Sequence, residues 1–242
     1  MSKGEKLPAK AAQELLAGWR DEPYPPGAQY ADLYANYDPA FGQESDESSQ
    51  RLLDLCGPLA GVPLLDIGAG MGGLSLLAAR RGARPLALDQ EAEMLQKDAL
   101  RAAGVPWSIQ SIADFCRDWP AGSFGAACAR QSANYFAKTL DWGLFAGLLS
   151  ARGVFAFNTF EMAQDSPEFA ARRWVGADGV ERVDARQVRD GRVWHAQKAG
   201  DAVHYTAFDA LSPEEFEALL SPFFECSRER VGASWYWRAA KK

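Results

Sequence analysis

The sequence predicts an α/β protein built on a doubly wound, mostly parallel sheet with a small antiparallel meander inserted near its C-terminal third. Three observations carry this. From residue 62 short apolar runs alternate with amphipathic stretches, the pattern of strands joined by crossover helices. Gly82 and Gly104 close the first two amphipathic stretches, where helices commonly end. Near residue 180 the texture changes to half-apolar strands separated by tight-turn signals, which is hairpin spacing.

The elements follow in order. VPLLDI (62–67) reads as a buried strand and GGLSLLAARRG (72–82) as its helix. RPLALD (84–89) is a second strand, EAEMLQKDALRAAG (91–104) a helix, WSIQSI (107–112) a third strand and FGAACA (124–129) a fourth. LDWGLFAGLLS (140–150) is helical and GVFAFNTF (153–160) is a fifth strand. Right-handed crossovers then place helices on both faces. VERVDARQV, GRVWHAQKA and AVHYTAFDA (180–210) form the meander. In LSPEEFEALLSPFF, Ser212 at the N-cap, Pro213 at N1 and Glu215 at N3 make a capping box. The closing ECSRERVGASWYWRAAKK supplies one or two edge strands, with Trp235, Tyr236 and Trp237 as edge packing.

Upstream, AKAAQELLAGW (9–19) is a short helix. DEPYPPGAQY (21–30) is loop, because proline removes a donor and biases its predecessor to extended geometry. Tyr30, Tyr34, Tyr37 and Phe41 follow, and QESDESSQ (43–50) is placed to cap a helix SQRLLDLCGPL. Residues 1–50 are expected to be an N-terminal lid segment, and 51–242 one domain with an insertion at 160–209.

Composition bounds the function. The 242 residues are 48% apolar and 24% charged, the balance of a globular protein. Net charge is −6, so a chain-wide basic footprint for nucleic acid or anionic membrane is absent. Cys56, Cys116, Cys128 and Cys226 form no C-x-x-C pair; they read as reduced thiols, neither a disulfide frame nor a metal site. The polar start and the lack of a long apolar run support a cytoplasmic protein with no membrane span.

The chemistry gathers at Leu64-Leu65-Asp66-Ile67-Gly68-Ala69-Gly70-Met71-Gly72-Gly73. A strand ends, glycines turn the chain tightly, and a helix N-terminus offers unpaired N–H groups. Asp89 ends the second strand, where a carboxylate accepts hydrogen bonds from vicinal ribose hydroxyls. Gly68, Gly70 and Gly73 also satisfy G-x-G-x-x-G, so an adenosine cofactor follows but its kind does not. Asp66, inside the strand, opposes a pyrophosphate and favours a ligand that carries an ammonium group. Gln110-Ser111-Ile112-Ala113-Asp114-Phe115 is suited to an adenine ring, and Arg130-Gln131-Ser132-Ala133-Asn134-Tyr135 ends the fourth strand at the ligand-binding edge.

On these residues the sequence resembles the class I S-adenosylmethionine-dependent methyltransferases of small-molecule type. LLDIGAGMGG is similar to their glycine loop, ALD to their ribose-binding acid and GSFGAACARQSANYF to their fourth-strand motif. The resemblance implies a Rossmann-like, seven-stranded sheet with the last strand antiparallel. It implies S-adenosyl-L-methionine as cofactor, held by Asp66, Gly68, Gly70, Asp89, Gln90, Ile112, Ala113 and Arg130. Ser111 stands where many members carry an acid, a departure that Asp114 is placed to offset. Tyr30, Tyr34 and Tyr37 resemble tyrosines that close over the cofactor.

The expected reaction is in-line methyl transfer to a small metabolite of a natural-product kind. Asn134, Tyr34 and Tyr135 are the catalytic candidates, and Gln131, with Arg130 and Asn134, orients the amino-acid part of the cofactor or the acceptor. The same pocket also suits a cyclase that folds the cofactor's amino group onto its own γ-carbon, giving azetidine-2-carboxylate and methylthioadenosine. An NAD-dependent dehydrogenase and a catalytically silent binding module stay open as further alternatives. His195 and His204 lie on the meander as solvated or satisfied strand residues or as catalytic ones, and the meander is a candidate lid or homodimer surface.

Overall fold

The computed structural model describes residues 5–18, 39–160, 169–176, 178–232 and 234–242. In chain order these form β1 (Glu5–Leu7), α1 (Ala9–Leu16), α2 (Pro39–Cys56), β2 (Pro63–Ile67), α3 (Gly73–Arg80), β3 (Arg84–Asp89), α4 (Lys97–Ala102), β4 (Trp107–Ile109), α5 (Ile112–Asp118) and β5 (Phe124–Arg130). After a 3₁₀ turn at Ala133–Tyr135 come α6 (Trp142–Leu148), β6 (Leu149–Phe160), β7 (Phe169–Val175), β8 (Glu181–Arg189), β9 (Arg192–Ala199) and β10 (Ala202–Asp209). Then α7 (Pro213–Leu220), β11 (Phe224–Val231) and β12 (Ser234–Lys241) complete the chain. Two compact units result, residues 46–161 with 212–242, and residues 1–45 with 162–211.

The first unit is a seven-stranded sheet in the order β11-β12-β6-β5-β2-β3-β4. Strands β6, β5, β2, β3 and β4 run parallel, and β12 runs antiparallel between β6 and β11. The parallel strands are near-continuous apolar runs because helices cover both faces. On one side α2 and α3 pack Leu52, Leu53, Leu74 and Ala78 against Leu64, Ala126 and Ala156. Toward the other edge Trp237 is fully buried and stacks on Phe157 at 5.5 Å between ring centroids, with Phe216 of α7 at 6.0 Å. Each such aromatic pair adds about 0.5–1.5 kcal/mol beyond its buried area. The capping box holds: Ser212 Oγ accepts from the Glu215 N–H, and the Glu215 carboxylate accepts from the Ser212 N–H at 2.7 Å.

Three expectations are corrected here. The stretch QESDESSQ lies inside α2 and does not cap it. Ser48 and Ser49 face the core, and Tyr236 Oη donates to Ser48 Oγ at 3.1 Å, a tertiary pairing that local propensity does not register. Helix α4 begins at Lys97, not Glu91, because the Asp89 carboxylate takes the Glu91 N–H at 3.0 Å and holds the next residues in turns. Trp235–Trp237 do not form an edge: β12 is interior, and β11 is the outer strand.

The second unit is an antiparallel sheet, β1-β7-β8-β9-β10. It is larger than the three-stranded meander expected, because β7 and the three-residue β1 join it. Helix α1 covers one face, where Ala12 and Leu16 pack on Ala171, Ala185 and Ala196.

Candidate functional site

The candidate site is at the carboxyl ends of β2, β3, β4 and β5. Strand β2 stops at Ile67, and Gly68, Gly70 and Gly72 all take positive φ (65°, 54° and 82°) before α3 starts at Gly73. An L-residue pays about 1–2 kcal/mol in that region, which is why glycines stand there. At Gly68 the need is also steric, since a Cβ would lie 2.6 Å from the Ser132 Cβ.

Asp66 is buried, and its carboxylate accepts from Ser75 Oγ at 2.7 Å. Burial pushes the carboxyl up to about 6, while Ser75 and the charge of Arg130 pull the other way. Asp66 therefore ties β2 to the first turn of α3 and sets a titratable charge beneath the glycine loop.

Asp89 closes β3. Its two oxygens accept from the Gly70 N–H at 2.8 Å and the Glu91 N–H at 3.0 Å. Burial raises this carboxyl as well, against those backbone hydrogen bonds. An ionised carboxylate has about four acceptor sites, so capacity for a hydroxyl pair is left. Gln90 next to it is exposed.

After β4, Ser111 caps α5: its Oγ accepts from the Asp114 N–H at 3.1 Å and donates to Asp114 Oδ2 at 2.6 Å. Arg117 holds the other oxygen of Asp114. The Asp114 carboxylate is thus engaged within its own helix turn. Ile112 is buried and Ala113 half-buried at the same helix start.

After β5, Gln131 adopts φ 57° and its N–H donates to Asn158 Oδ1 at 3.0 Å. Ser132 Oγ donates to the Ile67 carbonyl at 2.7 Å, closing this loop onto the glycine turn. Asn134 is buried in the 3₁₀ turn, and Arg130 and Tyr135 are half-buried. The structure thus brings Asp66, Gly68, Gly70, Asp89, Gln90, Ser111, Ile112, Ala113, Arg130, Gln131, Asn134 and Tyr135 to one edge of one sheet. Tyr30, Tyr34 and Tyr37 lie outside the described residues. His195 and His204 belong to the other unit.

Sequence reasoning misses Ser75, Ser132 and Asn158. The signal for Asn158 is a lone amide in the apolar run GVFAFNTF. Ser75 carries none beyond its nearness to the glycines, and Ser132 none beyond its place in the polar cluster that ends the fourth strand. Among the described residues no cluster of His, Cys, Asp or Glu could hold a metal, and no helix is long and apolar enough to cross a membrane.

Seven strands in this order, one of them reversed, with a glycine turn after the first of the parallel strands, define the fold of the class I S-adenosylmethionine-dependent methyltransferases. Solved structures share it. DesVI of Streptomyces venezuelae matches at TM-score 0.68 and 19% identity, over 88% of this chain and 98% of its own. An S-adenosylmethionine-dependent methyltransferase of Clostridium acetobutylicum ATCC 824 matches at TM-score 0.62 and 17% identity, over 86% and 94%. The 1,6-didemethyltoxoflavin-N1-methyltransferase of Burkholderia thailandensis, solved with 1,6-didemethyltoxoflavin and S-adenosylhomocysteine, matches at TM-score 0.54 and 15% identity, over 98% and 91%. No protein-family model matches the chain, and no curated protein sequence matches it.

Proposed function

We propose that the protein is an S-adenosylmethionine-dependent methyltransferase acting on a small molecule. The observation that carries this reading is the pair of aspartates flanking the glycine turn. A dinucleotide needs the N–H groups of such a turn for its pyrophosphate. Here the Gly70 N–H is taken by Asp89. A buried carboxylate under the turn repels a pyrophosphate and suits an ammonium group. The residues fit a sulfonium nucleoside better than NAD.

In this reading Asp89 accepts the ribose hydroxyls, and Gly68 and Gly70 let the ligand approach backbone. Ile112 and Ala113 flank the adenine, with Ser111 at the helix cap. Gln90 borders the ribose. Arg130, Gln131 and Asn134 orient the amino-acid part of the cofactor, and Asn134, Tyr135 and the tyrosines at 30, 34 and 37 are the candidates for shaping the acceptor side. S-Adenosylmethionine, when bound, supplies a methyl group activated by its sulfonium. The protein contributes orientation and exclusion of water. The fold likeness supports the same reading, and the Burkholderia neighbour is named for a small heterocycle.

Incubation with S-adenosylmethionine, followed by mass spectrometry, tests it. S-Adenosylhomocysteine that accumulates only when a small-molecule acceptor is added is the expected result. Methylthioadenosine from cofactor alone contradicts methyl transfer and points to cyclisation.

A further inference from the structure

Two of the four thiols meet in the core of the first unit. Cys56 is the last residue of α2 and Cys128 lies within β5, and their sulfurs stand 3.5 Å apart although 72 residues separate them in the chain. No second contact of this kind occurs among the described residues. Cys116 is buried in α5, and the sulfur of Cys226 on β11 is 4.0 Å from the Phe224 carbonyl.

The pair is unequal. Cys56 is half-buried and packs at the border of the cluster that holds Leu52, Leu53 and Ala126. Cys128 is fully buried and stands opposite Asp66 in register. Its bond to Cys56 pushes the Cys128 thiol well above the ordinary thiol range, and burial and the Asp66 charge add to this. Cys128 therefore keeps its proton at neutral pH, and Cys56 is the member of the pair that borders solvent. The nucleophile toward an oxidant is a thiolate, so the first attack falls to Cys56.

The geometry allows a bond between the two. A disulfide needs about 2.05 Å between sulfurs, so about 1.5 Å has to be closed. Strand β5 is held by β2 on one side and β6 on the other. The end of α2 has more freedom. Gly57 follows at φ 82° with its N–H on the Asp54 carbonyl at 3.0 Å, and nothing lies within 4 Å of the place a Cβ would take. The last turn of a helix frays readily, so the approach comes from Cys56.

We propose that Cys56 and Cys128 form a modification site, a dithiol that hydrogen peroxide converts to a reversible disulfide, fastening the end of α2 to β5. In the first step the Cys56 sulfur attacks one peroxide oxygen. An S–O bond forms, the O–O bond breaks, and the departing hydroxide leaves as water with the proton that Cys56 gave up. In the second step the Cys128 sulfur attacks Cys56 Sγ. An S–S bond forms, the S–O bond breaks, and the hydroxyl leaves as water with the Cys128 proton. Each sulfur is oxidised by one electron and the peroxide is reduced by two. A partner thiol at 3.5 Å consumes the sulfenic acid before further peroxide carries it to the irreversible sulfinic acid. The closed loop is long, so the link restricts the unfolded chain and stabilises the fold. The proposal does not depend on the methyl-transfer reading.

The test uses the full-length protein, reduced and then freed of reductant. It is treated with hydrogen peroxide, catalase ends the reaction, iodoacetamide blocks the remaining thiols, and a non-reducing digest is read by mass spectrometry. The expected result is a Cys56–Cys128 peptide pair within one chain, with two hydrogens lost from the intact mass and full reversal by dithiothreitol. The linked protein melts about 5 °C or more above the reduced one. Cys128→Ala stops Cys56 at the sulfenic acid, which dimedone traps. If Cys128→Ala does not fold, Cys56→Ser at the half-buried helix end decides, and it leaves Cys128 a free thiol under the same treatment. Cys56 and Cys128 both alkylated after a dose that oxidises Cys226 overturns the proposal. So does Cys56 linked to Cys226 or to a second chain, or a linked protein that melts no higher than the reduced one.

Discussion

Gly68 and Ser132 touch across the carboxyl edge of the sheet: a Cβ at residue 68 would stand 2.6 Å from the Ser132 Cβ, and Ser132 Oγ is bonded to the Ile67 carbonyl at 2.7 Å. The turn after β2 is thus clamped by the loop after β5. Gly68→Ala meets both this clash and the positive φ of 65°. The backbone term alone is about 1–2 kcal/mol. We expect Gly68→Ala to lower S-adenosylhomocysteine affinity by at least about tenfold and to lower the thermal midpoint by several degrees. Adding Ser132→Gly recovers part of the loss, and calorimetry with a melting curve reads both.

Asp89 anchors two backbone N–H groups, and in the proposed function it also accepts the ribose hydroxyls. Asp89→Ala should weaken S-adenosylhomocysteine binding by about 2–4 kcal/mol, from the loss of hydrogen bonds to a charged acceptor. Asp89→Asn keeps one acceptor oxygen and should lie between. Unchanged affinity by isothermal titration removes Asp89 from the ribose role.

Asp66 gives a pH dependence with a defined sign. Its carboxyl titrates at about 6 in the folded chain against an ordinary 3.8. Between those values the native state holds a proton that the unfolded state has lost, so its contribution to stability is present at low pH and falls as pH rises toward 6. Asp66→Asn removes this term. The stability difference between Asp66→Asn and wild type should therefore shift in favour of the variant from pH 4.5 to 7, by urea denaturation. A difference that stays flat over that window contradicts the burial cost assigned to Asp66.

Gln131 holds φ 57° with its N–H on Asn158 Oδ1 at 3.0 Å, and Asn158 is fully buried. Gln131→Gly relieves the backbone and should hold or raise stability, by up to about 1 kcal/mol. Gln131→Val should destabilise by more, because a β-branched residue resists positive φ. Asn158→Ala should cost about 1–3 kcal/mol through the unpaired Gln131 N–H. Chemical denaturation ranks the three.

The sheet of the first unit is legible in the sequence where the physics is local. Strands β2, β3, β5 and β6 are apolar runs between turn signals, and α7 announces itself by Ser212, Pro213 and Glu215. Strand β7 is not legible: Arg172 and Arg173 break any alternation, and only pairing with β8 makes the segment a strand. The start of α4 is hidden because Asp89 captures the Glu91 N–H, a side-chain bond that periodicity does not encode. At the site, Asp66, Gly68, Gly70 and Asp89 are legible from type and spacing. Ser132 is not, because its partner Ile67 lies 65 residues away in the chain. The Cys56–Cys128 pair is hidden likewise, since the two thiols stand 72 residues apart in the chain.

In the proposed function two aspartates and a glycine turn hold a sulfonium nucleoside and refuse a dinucleotide. Calorimetric titration of the protein with S-adenosylhomocysteine and, separately, with NAD tests it most directly. Saturable binding of S-adenosylhomocysteine with no heat from NAD is the predicted result. Saturable binding of NAD, or no binding of S-adenosylhomocysteine, contradicts it.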